Sequence, residues 1–212
     1  MITTTLVAIL GVPLLIVLMN LFKKQPTPAA APAGPKVDLA NLKASDARAG
    51  DSLSISGAGD EMTDLDFTAD RCTWFEAGSH RWFEVSGPYR ERRAAMRVEG
   101  EDEIEVSVHN DARKFTLEDL GLSEEDLAAM DERQNTADNF EFDGKLWLYR
   151  LSREVQATRT GQPQPEGFYY WEFRQQDGPG LLAVRKAASE PFAVTQYAAV
   201  PAGDVTVYRG GR

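Results

Sequence analysis

The chain has 212 residues, with 33 Asp and Glu against 23 Lys and Arg and a formal net charge of -10. That length holds one domain of ordinary size with accessory segments, and so acidic a surface repels a phosphate backbone, which argues against nucleic acid as a partner. Cys72 is the only cysteine, so no internal disulfide forms, as suits a reducing compartment.

Met1 to Phe22 carries no charged side chain. As a helix, residues 2–22 would measure about 31 Å at 1.5 Å per residue, close to the thickness of a bilayer core. Residues 1–24 are therefore expected to be a transmembrane anchor that meets the lipid bilayer through residues 2–22, with Gly11 and Pro13 tolerated in lipid. A cleaved signal peptide is the rival, given the small residues around Ala29-Ala30-Ala31, but no basic segment precedes the apolar run. Lys23-Lys24 follow it, and the positive-inside rule then puts the N-terminus outside and the rest in the cytoplasm, at the inner (plasma) membrane. Residues 25–36, QPTPAAAPAGPK, read as an extended Pro/Ala-rich spacer reaching up to about 37 Å.

From residue 37 to 212 the pattern is mainly β. Leu53 and Ile55 alternate with serines in a first strand. The stretch from Asp64 to His109 carries the clearest signal, with Cys72-Thr73-Trp74-Phe75-Glu76 and Arg81-Trp82-Phe83-Glu84-Val85 separated by Gly78-Ser79. This predicts a long hairpin with one buried face, followed by strands at 95–99 and 104–108. Helical signal is confined to an insert at about 116–133, where Thr116-x-x-Asp119 and Ser123-x-x-Asp126 look like N-terminal caps with carboxylates in the first turn. Phe140 to Leu148 around Asp143-Gly144 predicts a type I′ hairpin, and strands follow to Arg159 and at 168–174, 181–186, 192–197 and 205–208.

A shift of 88 positions lays Trp82-Phe83-Glu84-Val85 on Tyr170-Trp171-Glu172-Phe173 and carries Arg97 onto Arg185. The expected fold is thus two similar antiparallel β meanders, at about 50–110 and 140–209, forming a sandwich or distorted barrel with the short helical insert between them. If each aromatic strand pairs with the strand after it, Glu84 faces Arg97 and Glu172 faces Arg185 as cross-strand ion pairs. Trp74, Trp82 or Phe83, Trp147 and Trp171 or Tyr170 are the expected core aromatics.

No catalytic, cofactor or metal constellation is expected. Asp64, Asp66, Asp70, Glu76 and Glu84 are the densest carboxylates, but nothing in their spacing converges them on one point as a hard cation requires. His80 and His109 lack ligand spacing. A Cys72/His80 pair on adjacent strands has nothing in the sequence to activate the thiol, and a hydrolase using acids around Asp66 and Glu84 is the weakest of the readings. The aromatic bands serve as core or, alternatively, as the lining of a ligand groove.

The runs Gly50-Asp51, Asp66-Phe67-Thr68-Ala69-Asp70-Arg71 and Glu76-Ala77-Gly78-Ser79-His80-Arg81-Trp82-Phe83-Glu84-Val85 resemble a bacterial domain family of unknown function, the one numbered forty-one seventy-eight. Leu117-Glu118-Asp119-Leu120-Gly121-Leu122, Met130-Asp131 and Tyr170-Trp171-Glu172-Phe173 are similar to it as well. The resemblance implies a gene neighbourhood of phage-shock-type membrane-remodelling proteins, small multi-span membrane proteins and polyamine synthase-like genes, and it supplies no catalytic residue. The expected function is an interaction module for another membrane or membrane-associated protein, with a tethered ligand-binding or sensory domain as the alternative.

Overall fold

In a computed structural model, residues 41–162 and 164–210 are described. The expected membrane helix at 2–22 and the spacer at 25–36 lie outside them. Among the described residues no helix is long and apolar enough to cross a membrane.

The fold is mainly β. Among the described residues twelve strands run in order as β1 (Ser52–Ile55), β2 (Leu65–Thr68), β3 (Arg71–Ala77), β4 (His80–Tyr89), β5 (Arg92–Glu99), β6 (Glu105–His109), β7 (Asn139–Phe142), β8 (Lys145–Arg159), β9 (Glu166–Gln175), β10 (Gly180–Lys186), β11 (Ala193–Val200) and β12 (Val205–Tyr208). An α-helix, α1 (Glu124–Arg133), lies between β6 and β7. Strands β3 to β6 and β8 to β11 are each an antiparallel meander. They join at β6–β11 and again at β3–β8, which closes an eight-stranded antiparallel barrel. Read from either meander, the strand order is the same. The 88-residue shift carries β4, β5 and the start of β6 onto β9, β10 and the start of β11, so the sequence echo is a structural one. Of the two architectures expected, the barrel is the one that forms.

Local chemistry sets each turn. Gly78, at φ 67°, and Ser79 link β3 to β4. Asp143 and Gly144, at φ 54° and 66°, make the predicted type I′ turn between β7 and β8. Ser123 caps α1 by accepting from Asp126 N at 3.1 Å, and Asp126 Oδ2 accepts from Ser123 N at 2.9 Å. The Thr116–Asp119 box forms the same bonds, but no helix grows from it: Gly121, at φ 69°, ends a single turn. The first of the two expected helical pieces is therefore a capped turn.

The barrel wall is buried on both faces, where the sequence predicts one. Strand alternation sends Phe75, Trp82, Val155, Tyr170, Leu181 and Tyr197 into the lumen. The outer face of the first meander, with Phe83, Val85, Met96 and Val98, packs under a second sheet of order β12-β1-β2. The segment that begins at Asp64 belongs to this covering sheet and not to the hairpin. At Gly87 of β4 a Cβ would run into the Thr68 carbonyl of β2, so the absent side chain lets the two sheets meet. Asp51 is buried and saturated, accepting from Arg48 N at 3.0 Å, Arg209 Nη1 at 2.7 Å and Gly210 N at 3.2 Å. The outer face of the second meander, with Trp147, Trp171, Phe173 and Leu182, packs under Leu127 and Met130 of α1. Asp131 Oδ1 fastens that helix by accepting from Tyr169 OH at 2.7 Å and Ser152 Oγ at 2.5 Å. Trp82, Trp147 and Trp171 are core, as expected. Trp74 is not: it stands on the outer face of β3, 51 % exposed, against the ring of Phe83.

Candidate barrel-lumen site

Because each strand lends alternate residues to the lumen, a charged side chain at one of those positions faces the barrel interior among apolar neighbours. Glu84 on β4 and Arg97 on β5 are directly opposite, as the sequence predicts. Glu172 and Arg185 are not: Glu172 faces Ala183, and Arg185 faces Tyr170. The cause is the turn. A two-residue turn at Arg90-Glu91 joins β4 to β5, whereas residues 176–179 join β9 to β10, so the second register slips by two positions.

The ion pairs do not follow the ladders at all. Arg185 Nη2 lies 2.6 Å from Glu84 Oε1, and Arg97 Nη2 lies 2.8 Å from Glu172 Oε2. Each guanidinium therefore crosses the lumen to the carboxylate of the other meander. Tyrosines complete both pairs: Tyr197 OH donates to Glu84 at 3.0 Å, Tyr170 OH donates to Glu172 at 2.8 Å, and Arg97 Nη1 donates to Tyr170 OH at 2.8 Å. Arg97 also lies over the Trp82 ring at 4.8 Å, and Arg185 over Phe75 at 4.9 Å.

The Arg97 end is the more elaborate. Glu99 accepts from Arg97 at 2.7 Å and from Arg150 at 3.2 Å, and Arg150 also donates to Glu172 at 2.6 Å. His80 Nε2 lies 3.3 Å from Glu99. Burial pushes the Glu172 carboxyl up, but the charges of Arg97 and Arg150 and the bonds from Tyr170 and Arg97 outweigh it and hold the pKa at about 2. Burial lowers the pKa of His80 below its ordinary value, against the opposing pull of Glu99 and Glu172. Burial likewise raises Tyr170 and Tyr197, with the carboxylates adding to the effect. Glu172 is thus a fixed anion at neutral pH, committed to the guanidinium groups of Arg97 and Arg150.

Each end of the barrel opens on a cavity. Beside Arg97, Glu99, Glu105 and Arg174 it measures about 260 Å³. Around Arg71, Glu84, Arg159 and Arg185, at the opposite end, it measures about 310 Å³.

The remaining residues singled out from sequence are dispersed. Asp64 accepts from Gly57 N at 3.1 Å, Glu76 lies 3.3 Å from Arg81, and Asp70 is held by Arg93. Among the described residues no group of three or more His, Cys, Asp or Glu is placed to hold a metal ion. Cys72 packs in the outer core while His80 faces the lumen, so the barrel wall separates the two. The sequence did not point to Arg150. A β-bulge between Tyr149 and Leu151 turns it inward against the alternation, and no feature of the local pattern marks a bulge. Nor did it point to Arg71 and Arg159, which share an end of the barrel because β8 closes on β3.

No family model matches the chain, and neither a curated protein nor a solved structure matches it.

Proposed function

We propose that the chain is a single-pass membrane protein whose cytoplasmic β domain is an interaction module, and that its assembly is one at the membrane or in envelope stress. Trp74 carries this reading. The covering sheet shields one meander and α1 the other, while the outer face along the β3–β8 seam keeps Trp74 exposed beside Glu76, Gln156 and Thr158. A tryptophan ringed by polar residues on rigid strands has the composition of an interface anchor. The lumen supports the same reading, because the Arg97–Glu172 and Arg185–Glu84 pairs tie the two meanders together behind that surface. The assembly type rests on the family resemblance.

The test is isolation of the full-length protein from its native membranes in mild detergent, beside the Trp74→Ala variant and a form beginning at Lys36. A partner that co-purifies with the wild type and is lost with Trp74→Ala supports the module. Recovery of the protein alone in every case sinks it.

A second reading, a tethered ligand-binding domain, is favoured by one observation, the arginine-lined cavity of about 310 Å³ at the barrel end.

A further inference from the structure

That cavity is built by alternation. Arg71 and Thr73 on β3, Ser86 on β4, Arg159 on β8 and Arg185 on β10 all line it. The ladders place Arg71 opposite Ser86 and Thr73 opposite Arg159, so two guanidinium stems and two hydroxyls enter one space from three adjacent strands. Phe75 and Phe168, edge to face at 6.2 Å, form an apolar wall, and the Arg185 guanidinium lies over both rings at 4.9 and 5.5 Å.

The donors here are not spent. Arg185 gives one nitrogen to Glu84, but its Nε is buried and finds no acceptor among the described residues. Arg159 makes no ion pair among the described residues, and its Nε is likewise buried without an acceptor. The nearest carboxylate to Arg71 is that of Asp70 at 3.9 Å, which Arg93 already holds. Buried N–H groups without acceptors are costly. The forked guanidinium is satisfied best by a planar, two-oxygen acceptor. Two further acids, Glu166 and Glu190, line the cavity and are exposed. They repel a second negative charge, which disfavours a phosphate dianion.

We infer that this end of the barrel binds a small monocarboxylate that carries an apolar or aromatic group, its carboxylate against Arg159, Arg71 and the free edge of Arg185, and its body against Phe75 and Phe168. The cavity volume lies at the small end of ligand pockets. The inference rests on the ligand-binding reading and is independent of the Trp74 surface.

The test titrates the full-length protein in detergent micelles by calorimetry with benzoate, benzyl alcohol, benzylamine and inorganic phosphate. Benzoate is expected to bind saturably, benzyl alcohol at least about tenfold more weakly for want of the charge, and Arg159→Gln is expected to weaken benzoate at least about fivefold without lowering the melting temperature. Arg71→Gln gives a second reading should Arg159→Gln fold poorly. Benzoate binding that is absent, or unchanged in both variants, overturns the inference. If phosphate or benzylamine binds more tightly than benzoate and depends on Arg159, the ligand-binding reading stands and the monocarboxylate falls. If no probe binds, both fall.

Discussion

Arg185 reaches across the barrel to Glu84 at 2.6 Å, although the residue directly opposite Glu84 on the neighbouring strand is Arg97. Arg97 in turn bypasses Glu84 and reaches Glu172 at 2.8 Å. Each meander thus supplies the acid for the base of the other. The pairs therefore bind one half of the barrel to the other, and the register within each hairpin is left to its turns and apolar pattern.

Removing one partner of such a pair strands a buried charge. Glu172→Gln is expected to cost about 3–5 kcal/mol, because Arg97 and Arg150 keep their charges with Glu99 as the remaining acid. Arg97→Met is expected to cost a similar amount. The double variant should lose less than the sum of the two, with a coupling of about 1–3 kcal/mol. Urea unfolding of the four proteins measures it, and strict additivity would show that the two side chains act separately.

The same carboxylate gives the domain an acid sensitivity. Glu172 has a folded pKa of about 2, below the ordinary value of 4.5. The unfolded chain therefore binds its proton first as pH falls. The stability it contributes is complete above about pH 4.5 and is lost as pH drops toward 2. Unfolding free energy followed from pH 6 to pH 2 should fall more steeply for the wild type than for Glu172→Gln. Parallel curves would contradict this.

Two tryptophans on facing strands should respond in opposite ways. Trp82 fills the lumen at 2 % exposure and Trp74 stands at 51 % on the outside. Trp82→Ala is expected to cost about 3–5 kcal/mol, and Trp74→Ala less than about 1 kcal/mol. Thermal melting of both variants decides it, and a large loss for Trp74→Ala would return that residue to the core.

Cys72 is 2 % exposed among apolar neighbours, and burial raises its thiol to a pKa of about 11. It should resist a thiol-specific disulfide reagent at pH 8 and react only as fast as the protein unfolds. Fast labelling of the native protein would show local opening of the β3–β4 wall.

Much of the architecture was legible because it is written locally. Alternation in 71–89 and 166–175, the Asp143-Gly144 turn and the Ser123 cap each determine their own element, and the 88-residue echo links the halves. The Glu84–Arg97 register was legible because two residues suffice to turn that hairpin. The matching register in the second half was not, since residues 176–179, with Gly178-Pro179, turn the chain in a longer loop that the periodicity of the strands does not report. Partners across the lumen were out of reach for a different reason. Which side chains share a barrel end depends on β8 closing against β3, a contact between residues about 80 positions apart that leaves no trace in either segment. Trp74 was misplaced because an aromatic in an alternating strand signals a wall, and a wall with both faces apolar hides which one is left bare.

The closure also dictates how the chain must fold. Each meander can zip through short hairpins, yet the seams that finish the barrel pair Thr73 with Arg159 and Val106 with Val200, and a half-barrel leaves Glu84 without Arg185 and Glu172 without Arg97, with only Arg150 of its own meander beside it. Loop closure has to be completed before the lumen charges are fully compensated. The barrel should therefore assemble in one late cooperative step, on the millisecond-to-second scale of non-local β topologies, with no stable half along the way.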